Sequence, residues 1–165
     1  MAGKIAESGR RKLLVGAWKA YLNHDEALAL ARSLASAGIS FSGPKSIGFD
    51  LGVCPSFISI VAVRDLLADT PIRVGAQSVY WETENGAFTS QITGEQIAAL
   101  GCPMVIVGHS ELRALGETDE NVNRRVRTAL AKRIEPIICV GESMAERRAG
   151  NAESRVAEQA LAAVE

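Results

Sequence analysis

His109 closes the apolar run Val105, Ile106, Val107, Gly108, and Glu111 follows two residues later. A histidine so placed can move protons near neutral pH, and a nearby carboxylate can orient it or anchor a cation. Lys19 follows Trp18 at the end of a second apolar run, and Gln77 ends a third, "IRVGAQ". Read singly, each has an ordinary alternative. Lys19 is either a loop lysine or an anchored cation for a phosphate or a developing oxyanion. Gln77 is either a satisfied structural amide or a site residue. His109 is structural or functional, and Glu111 is an ion-pair partner or part of a site. What they share is position, because each falls where a strand would give way to a loop.

The elements that would hold these residues alternate in a regular way. "LLVGAW" (Leu13 to Trp18), "SIGFDLGVC" (Ser46 to Cys54), "IRVGAQ" (Ile72 to Gln77), "MVIVGH" (Met104 to His109) and "PIICVG" (Pro136 to Gly141) read as strands. Most are apolar on both faces, which suits a parallel sheet covered by helices. Helical segments lie between them and after the last. Thr93 with Gln96, and Ser143 with Glu146, have capping-box spacing, and Thr118 can cap a further helix whose first turn holds Asp119 and Glu120. In that helix Val122, Val126, Ala129 and Leu130 are spaced to share one buried face, and Arg124, Arg125 and Arg127 are expected on a solvated one. The last helix is expected to bury Val156, Ala160, Leu161 and Val164. Successive βα units fit either an open doubly wound sheet or part of an eight-stranded barrel, and periodicity does not choose between them. No glycine-rich phosphate loop follows the first strand, since "VGAWKAY" has one glycine among bulky aromatics, and this weakens a nucleotide-binding open sheet.

Composition narrows the class. A chain of 165 residues, 47% hydrophobic, suffices for one domain with a buried core. Its 18 basic and 19 acidic side chains are mixed, which argues against a nucleic-acid or membrane-surface protein. Cys54, Cys102 and Cys139 are widely separated and in no CxxC pattern, so neither a disulfide framework nor a zinc site is indicated and a reducing cytoplasm fits. Residues 1–11 form a polar lead without the apolar core of a signal peptide. No internal repeat or linker marks a domain boundary.

Four stretches taken together, "VGAWKAY", "GAQSVYWETENGAFTSQIT", "VIVGHSELRALGETDENV" and "IICVGESMAERRAG", resemble the triosephosphate isomerase family in order and spacing. The resemblance runs from about Lys12 to the end. It implies an α/β fold of the TIM (β/α)8 barrel type, with about five βα units present over residues 12–165. The implied activity is interconversion of dihydroxyacetone phosphate and glyceraldehyde 3-phosphate through an enediol, as in glycolysis and gluconeogenesis, with no metal or organic cofactor. Lys19 matches the family's active-site lysine, and His109 matches the neutral histidine that polarises the substrate carbonyl. That neutral state is a known property of the family and is taken from the resemblance alone. Ser110 and Glu111 match the residues beside it. Thr89, in "GAFT", matches the tip of a loop that reaches into a partner subunit and so implies a homodimer. Gln77, Arg113, Glu117, Cys139 and Glu142 match supporting positions.

The chain also departs from the family pattern. Ala17 stands where an active-site asparagine is usual, Leu112 replaces the first arginine of "HSERR", Ser78 replaces an asparagine, and "GAFTSQ" replaces "GAFTGE". These changes bear on substrate range, with tetrulose phosphates an alternative, and on dimer contact. Under the resemblance the catalytic glutamate, its lid and the later phosphate loops would lie beyond Glu165, which ends the last helix and is not that base. The chain alone is then expected to be inactive or very weak, or a non-catalytic barrel portion. Its unclosed strand edge is expected to be prone to aggregation.

Overall fold

The computed structural model describes residues 12–39 and 49–165. The polar lead and the start of the expected second strand at Ser46 lie outside the described residues. Five strands alternate with helices: β1 (Lys12–Ala17), α1 (His24–Ser36), β2 (Phe49–Cys54), α2 (Ile60–Leu67), β3 (Arg73–Val74), α3 (Gly94–Ala99), β4 (Met104–Val107), α4 (Ser110–Ala114), α5 (Asp119–Ala131), β5 (Glu135–Ile138), α6 (Met144–Arg148) and α7 (Ala152–Val164). A 3-10 turn at Phe57–Ser59 leads into α2.

Among the described residues every strand pairing is parallel. β1 runs beside β2 from Lys12↔Phe49 to Ala17↔Cys54, β2 meets β3 at Gly52↔Arg73 and Val53↔Val74, and β4 pairs β5 from Met104↔Glu135 to Val107↔Ile138. A single parallel bridge, Ala76↔Val105, links the two ladders into one arc. Sequential strands are therefore neighbours throughout and their order never reverses, which is the barrel arrangement and not the doubly wound one.

β3 is shorter than the expected Ile72 to Gln77, and glycine explains how its continuation still joins the sheet. Gly75 donates to Val53 O (2.9 Å) and Ala76 to Met104 O (3.0 Å), so the chain presses against β4. A Cβ on Gly75 would stand 2.6 Å from Met104 Cγ and 2.7 Å from Met104 O. Only glycine permits that approach.

The strands separate two kinds of core. Outside the arc, Val53, Val74, Val63 and Leu67 pack with Ala27 and Ala31 of α1, while Ala76, Val105 and Val107 pack with Ile97, Val122, Val126 and Ala129. Inside it, Cys54, Met104 and Ile106 form a smaller cluster with Val15, Ile137 and Cys139. This is the two-sided burial that the apolar strand runs require.

Helix starts follow local chemistry. Thr93 with Gln96 and Ser143 with Glu146 form the expected capping boxes, Thr118 accepts from Asn121 N, and Asn23 with Glu26 adds a further box at the start of α1. Helix faces were harder to read. In α5, Val122, Val126 and Ala129 are buried, but Leu130 is 59% exposed and Thr128 is buried in its place, with its hydroxyl donating to Trp81 O at 2.7 Å. Arg125 is not on a solvated face: its side chain is 13% exposed and its Nε lies 2.7 Å from Glu117. In α7 the inward residues are Gln159 and Ala163, whereas Leu161 and Val164 are exposed and Ala160 with them. The Gln159 amide accepts from Gly141 N at 2.7 Å, so a polar residue is satisfied where the pattern placed an aliphatic one.

Candidate active site

The C-terminal ends of β1, β3 and β4 converge on one pocket. β1 hands over to Trp18, whose N–H donates to Cys54 O at 3.0 Å, and Lys19 then takes a left-handed backbone with φ 53°. That conformation costs a non-glycine residue about 1–2 kcal/mol and needs support. Gln77 supplies it: its amide donates to Lys19 O at 2.8 Å and to Cys54 O at 3.0 Å, stitching the ends of three strands together.

β4 ends at Gly108, also left-handed with φ 73°, which turns His109 out of the sheet to cap the short helix α4. A Cβ on Gly108 would meet Arg113 Nη2, Cys139 O and Val122 Cγ1, each at 3.2 Å. Arg113 secures the turn by donating from Nε to Gly108 O at 2.9 Å. His109 Nδ1 accepts from Glu111 N at 3.2 Å. A neutral ring accepting at Nδ1 carries its proton on Nε2, which leaves Nε2 as a donor.

Glu111 connects the two side chains: its Oε1 binds Lys19 Nζ at 2.7 Å, while its backbone N–H, and not its carboxylate, holds the His109 ring. The hydrogen bond and charge of Glu111 raise the Lys19 ammonium above its ordinary value. The hydrogen bond from Lys19 holds the Glu111 carboxyl below its own, against a smaller opposing effect of burial. Both groups are charged at neutral pH.

Lys19, Gln77, His109 and Glu111 line one pocket of about 200 Å³ together with Ala17, Phe57, Ser78, Ile106 and Leu112. Three of the positions that depart from the family pattern, Ala17, Ser78 and Leu112, are in that wall. Ser110 lines a neighbouring cleft with Arg113, Cys139 and Glu142. Thr89 is exposed on the segment between β3 and α3 and does not line the pocket. Among the supporting residues, Glu117 pairs with Arg125, Glu142 pairs with Arg147 at 2.5 Å, and burial pushes the Cys139 thiol up. Phe57 and Ile106 escaped the sequence reading because an apolar wall carries no chemical mark.

A proton-donating imidazole and an ammonium in one pocket can stabilise an oxyanion on a small anionic substrate. Among the described residues no cluster of three metal-ligating side chains occurs, and no helix is long and apolar enough to cross a membrane.

Comparisons with known proteins agree with this geometry. The family model described as triosephosphate isomerase matches residues 12–165. Curated triosephosphate isomerases from Chloroflexus aurantiacus and a Roseiflexus species are 43% and 46% identical over 94% of this chain, and the chain spans 60% and 59% of their lengths. A crystal structure of triosephosphate isomerase from Bartonella henselae superposes with a TM-score of 0.84 at 24% identity, covering 94% of this chain and 62% of that one.

Proposed function

The chain belongs to the triosephosphate isomerase family, and on that footing we propose that its pocket is the electrophile half of a site that interconverts dihydroxyacetone phosphate and glyceraldehyde 3-phosphate. His109 donates from Nε2 to the substrate carbonyl and passes a proton between the two oxygens of the enediol. Lys19 binds the phosphate and offsets the developing negative charge. To do so it exchanges part of its contact with Glu111 for the substrate, which is feasible because the pair is exposed on one side. Glu111 and Gln77 are positioning residues, the first through His109 and Lys19, the second through the Lys19 backbone. Removal of the substrate C–H proton is assigned, by likeness to the family, to a further glutamate that is none of these four residues. Residues 12–165 supply about five βα units of the family's barrel to that site.

The observation that carries this reading is the meeting of Lys19 and His109 in one pocket, joined by the carboxylate and the backbone N–H of Glu111. Further support bears on partners. A cleft of about 420 Å³ shares Phe57, Ser78 and Leu112 with the pocket, so a second copy seating its Thr89 loop there would border the substrate directly. The homodimer, a cytoplasmic location and a glycolytic role are part of the same proposal. Ala17 removes an amide from the pocket wall and Leu112 makes it more apolar, which shifts preference among phosphorylated sugars without changing the reaction class.

The test is binding and turnover of dihydroxyacetone phosphate by the chain and by Lys19→Ala and His109→Ala variants. Lys19→Ala is expected to weaken binding, read as phosphorus resonance broadening. His109→Ala is expected to bind nearly normally and to lower any measurable turnover by about 10²–10⁴-fold. Equal binding by the chain and by Lys19→Ala would remove the lysine from the site.

A further inference from the structure

Residues 80–91, between β3 and α3, contribute nothing to the apolar core clusters formed by the described residues. What orders them comes instead mainly from α5. The base of the segment is closed by Tyr80 N donating to Ile92 O at 2.7 Å, and the Tyr80 ring lies 4.6 Å from that of Trp81 and 5.0 Å from that of Phe88. Two neutral hydrogen bonds add to this, from the Thr128 hydroxyl to Trp81 O at 2.7 Å and from the Thr93 hydroxyl to Asn85 Oδ1. The other fixed points are charges on α5. Arg124 pairs with Glu82 at 2.8 Å, and Lys132, which caps the C-terminus of α5, pairs with Glu84 at 3.0 Å and Glu95 at 2.7 Å. The guanidinium groups of Arg124 and Arg125 lie 5.1 and 5.3 Å from the Trp81 ring centre, inside cation–π range. Arg125 also donates to Ser78 Oγ at 3.1 Å and to Val79 O, and is itself held by buried Glu117. The spacing explains the convergence, because positions 125, 128 and 132 share one helical face and 124 adjoins it.

We propose that Arg124, Arg125 and Lys132 form an electrostatic latch that fixes residues 80–91 in a single arrangement before the exposed tip of that segment meets any other molecule. The tip, which includes Gly86, Ala87, Thr89 and Ser90, is exposed, and a tip already ordered pays less on contact than a floppy one. The Arg124 and Lys132 pairs with Glu82 and Glu84 reach solvent, so their share of the hold on residues 80–91 weakens with salt, whereas the core packing of Val79 and Ile92 at its base does not. The inference stands apart from the proposed isomerase activity, and its test measures no turnover.

Hydrogen exchange is followed at the amides of residues 82–91 and of β4, at low salt and in 1 M salt, for the unmodified chain and for Arg124→Gln/Lys132→Gln. Two or three exposed charge pairs lost together should accelerate exchange in the segment about 3–10-fold and leave β4 unchanged. Salt should accelerate the unmodified chain similarly and the double variant little further. The Trp81 indole N–H resonance should shift in Arg124→Gln, and Arg124→Glu combined with Glu82→Arg should restore part of the protection. If the helix-side variant does not fold, Glu82→Gln/Glu84→Gln removes the two pairs that reach the segment and leaves Lys132 on Glu95. Unchanged exchange in the segment, or equal acceleration in β4, would overturn the latch.

Discussion

At the scale of single residues, the site depends on amides and glycines as much as on the ionisable groups. Gln77 was legible as the last residue of a strand run, but its task was not, because sequence does not say which carbonyls a side chain will find. Its two donated bonds support the strained backbone of Lys19 and the end of β2. Gln77→Met keeps the volume and removes both donors, taking from Lys19 O its partner and leaving Cys54 O with Trp18 N alone. We expect a loss of about 1–3 kcal/mol in urea unfolding, together with weakened phosphate binding through a displaced Lys19. An unchanged unfolding midpoint would show that solvent satisfies these carbonyls and that Lys19 holds itself. Lys19, His109 and Glu111 were legible for the same positional reason. Arg125 was not, since its Cβ lies off the apolar stripe and only its long side chain reaches back to Glu117 and Val79.

At the scale of elements, what is encoded within four residues was read and what depends on neighbours was not. Thr93, Thr118 and Ser143 cap helices as their spacing demands, because a cap is a local hydrogen bond. The inward face of α7 was misassigned, because a helix of "AESRVAEQALAAV" offers little contrast between faces and Gln159 is drawn inside by a loop N–H. The turn from β4 into α4 is the most demanding junction in the site. It requires φ 73° at Gly108 and tolerates no closer approach of Arg113, Val122 and the Cys139 carbonyl. Gly108→Ala therefore combines backbone strain with crowding on three sides. Strain alone costs about 1–2 kcal/mol, and we expect at least that in thermal or urea unfolding, with a displaced His109. A neutral result would mean that the turn reshapes freely, and His109 would then lack the fixed aim that the proposed reaction needs.

At the scale of the whole molecule, apolar two-sided runs announce parallel strands and the family resemblance their sequential order, but the cohesion of the outer layer rests on long-range charge pairs that no local pattern announces. Asp119, at the start of α5, joins Arg113 of α4 to Arg155 of α7, and Arg155 continues to Glu146 of α6 at 3.4 Å. These contacts span the loops after β4 and β5 and so brace the side of the arc that holds His109. Burial pushes the Asp119 carboxyl up, but the hydrogen bonds and charges of Arg113 and Arg155 outweigh it, and the net displacement is below the ordinary value of 3.8. A carboxyl lowered in the folded state contributes stability that is present above its unfolded value and lost as pH falls through the folded one. The contribution should therefore be complete at pH 5 to 7 and be lost progressively as pH falls from about 3.8 through the lower folded value. Asp119→Asn should lower stability at neutral pH and, by removing one titrating group, make the acid limb of a stability-against-pH curve shallower. Glu146, also held below its ordinary value by its bonds to Ser143, supplies a second part of that limb, coupled to the first through Arg155. An Asp119→Asn curve parallel to that of the unmodified chain down to pH 2 would show that the brace is not electrostatic, and the cohesion of this layer would then rest on the packing of α5 against α7.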